Sequence, residues 1–301
     1  PTKALVRDCA KRLNYKPNIM ASNLRTCKNT TIGIVLPEVN HHFFASVLDG
    51  IEQTANEAGY NIIICQTGEN VEKEVQSIQT LMGSRVAGIL AGISKQTCTF
   101  QHLQEVINAD IPLVLYDRPC PSLPCDQVVS DDYLGAFKAV EYLIQTGCQR
   151  IMYFSSPMQL EVAHRRYQGW RDALQRYNMP IDDSMIVTCD SRAQAIIETP
   201  MVLKRDDKPD AIFCVNDDCA SGVLYAAQIL GLKIPEELAI CGFSNAPLCR
   251  NTFPMLTTVE QHGVELGKHA IIRLLKRLSG DERIAQTEMI ATDLIVRETT
   301  K

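Results

Sequence analysis

IGIVLPEVNHHFFASVLDGIEQTANEAGYNIIICQ, residues 32–66, is the stretch that decides the fold. IGIVLP (32–37) is a short apolar run that ends at a proline, as a strand buried on both faces does. From Phe44 to Ala58 the apolar residues Val47, Leu48, Ile51 and Ala55 recur at helical spacing, and Gly59 stops them. NIIICQ (61–66) is a second apolar run of strand length. A strand, a helix and a strand in such quick succession predict a parallel pair joined by a crossover.

The alternation continues outward from there. Residues 71–82 predict a helix with Val75, Ile78, Leu81 and Met82 on one face, VAGILA (86–91) a strand and 101–109 a helix. PLVLYD (112–117) and VVS (128–130) predict two more strands. A second series follows, with helices at 132–146, 161–177, 192–204 and 218–230 between the strands RIMYFS (150–155), MIVTC (185–189), AIFCV (211–215) and LAICGF (238–243). LTTVEQ (256–261) reads as a crossing segment, 263–278 as a helix and 288–297 as one closing strand. Two series of this kind predict an α/β fold of two doubly wound parallel-sheet lobes.

Ligands of such sheets bind outside the carboxyl ends of the strands, so two facing lobes would line a cleft there. The polar residues just after strands are therefore the candidates. They are Asn40-His41-His42-Phe43-Phe44, Asp117-Arg118, Asp131-Asp132, Asn216-Asp217-Asp218 and Ser244-Asn245, joined by Arg165 and Arg166 early in a helix. Carboxylates, amides and a forked guanidinium suit a small polar ligand such as a sugar. Several have plainer readings. Asp131 and Asp217 stand where helix N-caps stand. Phe43 could pack between lobes, and Arg118 could serve an interlobe or subunit ion pair. Arg166 is the residue best placed to face the cleft. His41 and His42 have no metal partner at recognisable spacing and read as solvated loop residues. No nucleophile elbow, phosphate loop or metal triad is present, so no enzyme, metal or cofactor is expected.

Bulk properties agree with a soluble two-lobed protein. The chain has 301 residues, 46% hydrophobic and 22% charged. No apolar run approaches the ~18 residues that span a membrane. Cys120 and Cys125, in a Pro-rich loop, could pair under oxidation. Otherwise the 12 cysteines show no zinc or disulfide spacing, which suits a reducing cytoplasm. Charge is uneven. Residues 1–28 hold seven basic residues against Asp8 alone, a net +6, which leaves −11 on the rest of a chain totalling −5. A basic head on an acidic body points to a polyanionic partner for the head.

That head carries the first of several known motifs. TKALVRDCAKRL (2–13) sets Ala4, Leu5, Cys9 and Leu13 on one helical face, and NYKPN (14–18) breaks it. KRLNYKPNIMASNLR resembles the end of the helix-turn-helix head and the hinge helix of the LacI family of repressors. TIGIVLPEVNHHFFASVLDGIEQTANEAGY, IPLVLYDR, VSDDYLGA, RRYQGWRDAL, PDAIFCVNDDCASG, LKIPEELAICGF, LTTVEQ and LIVRET continue the resemblance in family order over nearly the whole chain.

The resemblance implies a transcriptional repressor whose operator affinity is set by an effector bound between the lobes. It implies that the chain starts inside the head, after the helix that reads the major groove. Residues 1–28 would be head remnant and hinge helix, 29–131 with 263–290 the first lobe, and 132–262 with 291–301 the second. Tyr15, Asn18, Ala21, Ser22 and Arg25 would touch DNA, with Leu24 wedged into the minor groove. Phe43, Phe44, Val47, Asp131, Arg166, Phe213, Asn216 and Asp217 would line the effector pocket. Ser244 stands where many members carry Asp, so a carboxylate acceptor for sugar hydroxyls is lost. The implied partners are operator DNA, a small polar effector and a second copy of the chain, with no membrane. The alternative is a periplasmic-type sugar-binding protein or chemoreceptor module, against which the basic head weighs.

Overall fold

The structure, a computed structural model, describes residues 2–13, 15 and 29–301. Its strands form two six-stranded sheets. The first has the order β2 (Asn61–Gln66), β1 (Thr31–Leu36), β3 (Gly88–Gly92), β4 (Leu113–Tyr116), β5 (Asp126–Ser130) and β11 (Thr287–Ile290), all parallel. The second has the order β7 (Ile186–Thr188), β6 (Ile151–Ser155), β8 (Ala211–Cys214), β9 (Ala239–Phe243), β10 (Thr257–Glu260) and β12 (Asp293–Ile295). Only β12 runs antiparallel, against β10. Two doubly wound α/β lobes result, as the strand–helix alternation requires.

The continuous apolar strands follow from burial on both faces. In β1, Ile32, Ile34 and Leu36 enter one core with Leu90 and Val114, whereas Val35 enters the opposite core with Ile89 and Leu115. The first core is closed by α2 (His42–Glu57) and α9 (Gly263–Leu278), the second by α3 (Val71–Gly83) and α4 (Gln101–Asn108). Helices α2 and α9 pack closely because each gives a glycine to the contact. A Cβ at Gly50 would sit 2.0 Å from the Val264 carbonyl oxygen, and one at Gly267 2.0 Å from that of Val47. The second lobe is flanked by α5 (Asp132–Gln145), α6 (Glu161–Arg176), α7 (Arg192–Leu203) and α8 (Asp217–Ile229), packed as α5 on α6 and α7 on α8.

Two segments differ from the sequence reading. The supposed crossing segment 256–261 contains β10, because Thr257, Thr258 and Val259 are β-branched and buried and pair with Cys241, Gly242 and Phe243. The supposed single closing strand 288–297 is two strands. Ile290 pairs with Ser130 in the first sheet, and Asp293 with Glu260 in the second, so Ala291 and Thr292 carry the chain across.

The chain therefore passes between lobes after Ser130, after Glu260 and after Ile290, and these crossings are stitched together. Asp131 N–H donates to the Ile290 carbonyl at 2.8 Å, and Thr292 Oγ1 to the Asp131 carbonyl at 3.2 Å. His262, at φ 52°, lies 2.8 Å from Asp293. Helix α1 (Thr2–Arg12) covers none of this. Its Leu5 and Val6, with Leu13 just beyond, are 69%, 63% and 74% exposed. The hinge residues Asn18, Ala21, Ser22, Leu24 and Arg25 lie outside the described residues.

Candidate effector site between the lobes

A cavity of about 220 Å³ lies between the carboxyl ends of the two sheets. From the first lobe it takes Glu38, His41, Phe43 and Phe44 after β1, Glu69 after β2, Lys95 after β3, and Asp117 and Arg118 after β4. From the second it takes Ser156, Arg166, Asp190, Ser191, Asn216, Asp218 and Ser244, with Gln261 at a crossing. Strand ends recruit these side chains because a parallel sheet aims every βα loop the same way.

Backbone strain collects here. Glu69, Asp117 and Ser244 have φ of 60°, 68° and 112°, a region that non-glycine residues seldom occupy. Such conformations cost on the order of 1–3 kcal/mol each and cluster at functional sites.

In the first lobe, Arg118 forks onto Glu69, Nη1 to Oε2 at 2.7 Å and Nη2 to Oε1 at 2.8 Å, and also donates to the Ile93 carbonyl at 2.6 Å. Burial alone would raise the Glu69 carboxyl, but the Arg118 hydrogen bonds and charge, with Lys95, bring it below its ordinary value. Two buried nitrogens here have no hydrogen-bond partner among the described residues. Arg118 Nε is buried and unsatisfied, 3.6 Å from Asp117 Oδ2, too far for a hydrogen bond. His41 Nδ1 is equally unsatisfied. Burial, then the charges of Lys95, Arg118 and Arg166, lower His41 to about 4, so its ring is neutral at pH 7. Burial lifts Asp117 to about 6 despite Arg118 alongside.

The second lobe is more fully knitted. Arg166 reaches Asp132 through Nε at 2.7 Å and Nη2 at 2.6 Å, and donates to the Val215 carbonyl through Nη1. Its guanidinium lies 3.8 Å over the Phe243 ring. Asn216 caps α8 by accepting from Cys219 N–H and donates to the Asp190 carbonyl at 2.8 Å. Ser244 donates to Gln261 Oε1 at 2.7 Å. One ion pair spans the opening, from Lys95 Nζ to Asp190 Oδ2 at 2.8 Å.

The geometry is that of a two-lobed binding protein, and comparison with known proteins agrees. The family profile of the periplasmic binding protein-like domain matches residues 140–300. The HTH-type transcriptional repressor PurR of Vibrio vulnificus is 32% identical, covering 100% of this chain and 90% of that protein. The chain belongs to the LacI family of transcriptional regulators. Catabolite control protein A of Priestia megaterium is 33% identical over 94% of this chain and 85% of its own length. A solved periplasmic binding protein/LacI transcriptional regulator of Alkaliphilus metalliredigens, complexed with D-xylulofuranose, superposes with a TM-score of 0.79 at 29% identity, over 91% of this chain and 100% of that one. These relatives are regulators, and this LacI-family chain is a regulator rather than an enzyme. Among the described residues no His, Cys, Asp or Glu side chains cluster to hold a metal, and no helix is long and apolar enough to cross a membrane.

In this LacI-family chain, Phe43, Phe44, Arg166, Asn216 and Ser244 line the cavity. Val47 and Phe213 do not. Val47 points into the α2–α9 core, and Phe213 stacks on Tyr153 with centroids 5.4 Å apart inside the second lobe. Asp131 caps α5 by accepting from Leu134 N–H and stands at a crossing. Asp217 is buried, accepting from Thr258 Oγ1 at 2.5 Å and Ala246 N–H at 2.7 Å. His41 is no solvated loop residue. Its ring packs 5.6 Å from Phe44 at the cavity wall. Glu69, Lys95 and Asp190 were missed, although each follows a strand in TGEN, GISK and TCDS, the same signal that flagged Asp117.

Proposed function

We propose that this interlobe cavity is the effector site, and that its occupancy sets the affinity of the basic head for operator DNA. The observation that carries this is unused hydrogen-bonding capacity among the lining residues: His41 Nδ1 and Arg118 Nε have no partner, and Asp117, 3.6 Å from Arg118 Nε, accepts no hydrogen bond from a described residue. A buried polar group without a partner is costly, and a ligand hydroxyl remedies two of them together, accepting from Arg118 Nε while donating to Asp117. The aromatic rings of Phe43 and Phe44 supply an apolar wall for the face of a sugar ring.

Signal transfer follows from connectivity. The head joins β1 at Thr31, the end of the first sheet opposite the cavity. A ligand that favours one lobe arrangement changes how the three crossings flex, and the lobe carrying the head moves with it. Exposed apolar residues favour a homodimer, which a near-palindromic operator needs. Ile63 and Ile64 lie on the edge strand β2, and Tyr225, Ile229 and Phe253 near α8. Work on DNA places the protein in the cytoplasm. Amide hydrogen exchange tests the reading, because a ligand between the lobes slows exchange on both walls together.

A further inference from the structure

Five carboxylates line the cavity against three cations, and no lining cation is free. Arg118 is held by Glu69, Arg166 by Asp132 and Lys95 by Asp190. Each arginine charge is therefore neutralised before a ligand arrives. Among the carboxylates, Glu38 and Asp117 accept no hydrogen bond from a described residue, and Asp218 accepts only from the Arg192 N–H at 2.9 Å. The acceptors are open and the positive charges are spent.

Resting on the reading of this cavity as the effector site, we propose that it takes a small ring bearing hydroxyl or amine protons and no negative charge, and that Glu69 enforces this choice. Arg118 Nε and Asp117 Oδ2, 3.6 Å apart, set a donor beside an acceptor, so a group lying against both must accept and donate. A hydroxyl does so. A phosphate or carboxylate dianion or anion would satisfy Arg118 Nε yet bring like charge against Asp117, with Glu38 and Asp218 nearby. Like-charge juxtaposition in a partly desolvated site is strongly unfavourable. Glu69 is the decisive group because it takes both terminal nitrogens of Arg118, the fork otherwise well shaped to clamp an anion. Its left-handed backbone, at φ 60° directly after Gly68 at φ 61°, turns the carboxylate back onto Arg118. The cavity, about 220 Å³, is small beside the roughly 300–1,000 Å³ of sites for drug-sized ligands, and it shares Glu38, His41, Asp218 and Ser244 with an adjoining cavity of about 460 Å³.

The test uses matched probes: ribose and ribose 5-phosphate, glucose, glucosamine and glucose 6-phosphate, and inorganic phosphate alone, each titrated by calorimetry and thermal shift. For any ring that binds, the phosphate ester is expected to bind at least about 100-fold more weakly. Stronger binding of glucosamine than of glucose identifies an amine-bearing ligand, and the reverse an uncharged one. Inorganic phosphate at about 10 mM should leave the wild-type Tm unchanged and raise that of Glu69→Gln, whose Arg118 is released. Asp218→Asn, an exposed site with little risk to folding, should weaken the discrimination in the same direction. A phosphate ester that binds wild type as tightly as its parent sugar overturns the proposal, as does a wild-type Tm raised by phosphate or a folded Glu69→Gln protein that gains no phosphate response. If no ring binds at all, the effector reading itself fails, while the phosphate arm still decides the charge claim.

Discussion

The two walls of the cavity hold one arginine each and treat it differently. In the second lobe Arg166 has two contacts to a buried Asp132, a carbonyl beyond, and an aromatic ring beneath, all within its own lobe. In the first lobe Arg118 is forked onto Glu69 at the cavity surface, leaves its Nε without a hydrogen bond and stands 3.6 Å from an Asp117 that accepts none from a described residue. The second wall is more fully paired around its arginine, although the buried Tyr153 hydroxyl and Arg150 Nε of that lobe lack hydrogen-bond partners among the described residues. The first wall is incomplete without a guest. Selectivity is therefore expected mainly from the first lobe, with Asp218 adding to it from the second, and removal of the second-lobe arginine should be felt as lost stability before it is felt as lost recognition.

Three measurements sharpen or break this contrast. The largest effect is expected for Arg166→Ala, which strands a buried Asp132 without its counter-charge. Breaking such a pair costs about 3–5 kcal/mol, and equilibrium denaturation should show a loss of that order. A loss under about 1 kcal/mol would mean that Arg166 is not scaffold.

The second effect concerns pH. Asp117 is raised to about 6 from an ordinary 3.8 by burial, so the folded state binds its proton more tightly than the unfolded state does. Stability should accordingly fall as pH rises from about 4 through 6, by on the order of 2–3 kcal/mol at completion. His41, lowered to about 4 from 6.5, acts in the opposite sense and removes stability as pH falls through that range. Wild type should show these trends partly cancelling. Asp117→Asn should gain stability at pH 7 and lose it steadily on acidification. An unchanged profile would show that Asp117 is not held in the strained, buried state described.

The smallest effect is expected for Lys95→Met. The Lys95–Asp190 pair spans the lobes, yet the lysine side chain is 32% exposed, and pairs of that kind contribute below about 1 kcal/mol. Stability should barely move, while small-angle scattering should report a more open population. A large stability loss would make the pair a structural tie rather than a latch.

Much of this was legible in the sequence. Residues 32–66 announced the fold because apolar runs and helical spacing are local properties, and the two-lobed arrangement followed from their repetition. The cavity was legible as a place, since strand ends point to it. Its chemistry was less so. Val47 and Phe213 looked like pocket residues, yet a helix and a strand each have an inner face, and one residue of register separates wall from core. Asp131 went to capping, the alternative its position had offered, whereas the cap expected of Asp217 fell to Asn216 and Asp217 went to a hydroxyl–amide cradle. The pairs Glu69–Arg118 and Lys95–Asp190 join residues 49 and 95 positions apart, and no local pattern in the sequence couples them. His41 stands directly before α2, and its packing against Phe44 at the cavity wall has no signature in a loop pattern.

Amide hydrogen exchange on a ligand that raises the Tm addresses the account at its centre. The account predicts slower exchange in peptides covering 38–46 and 93–97 of the first lobe and, at the same ligand concentration, in those covering 156–166 and 189–192 of the second. Protection confined to one lobe, or found only away from both, would contradict it.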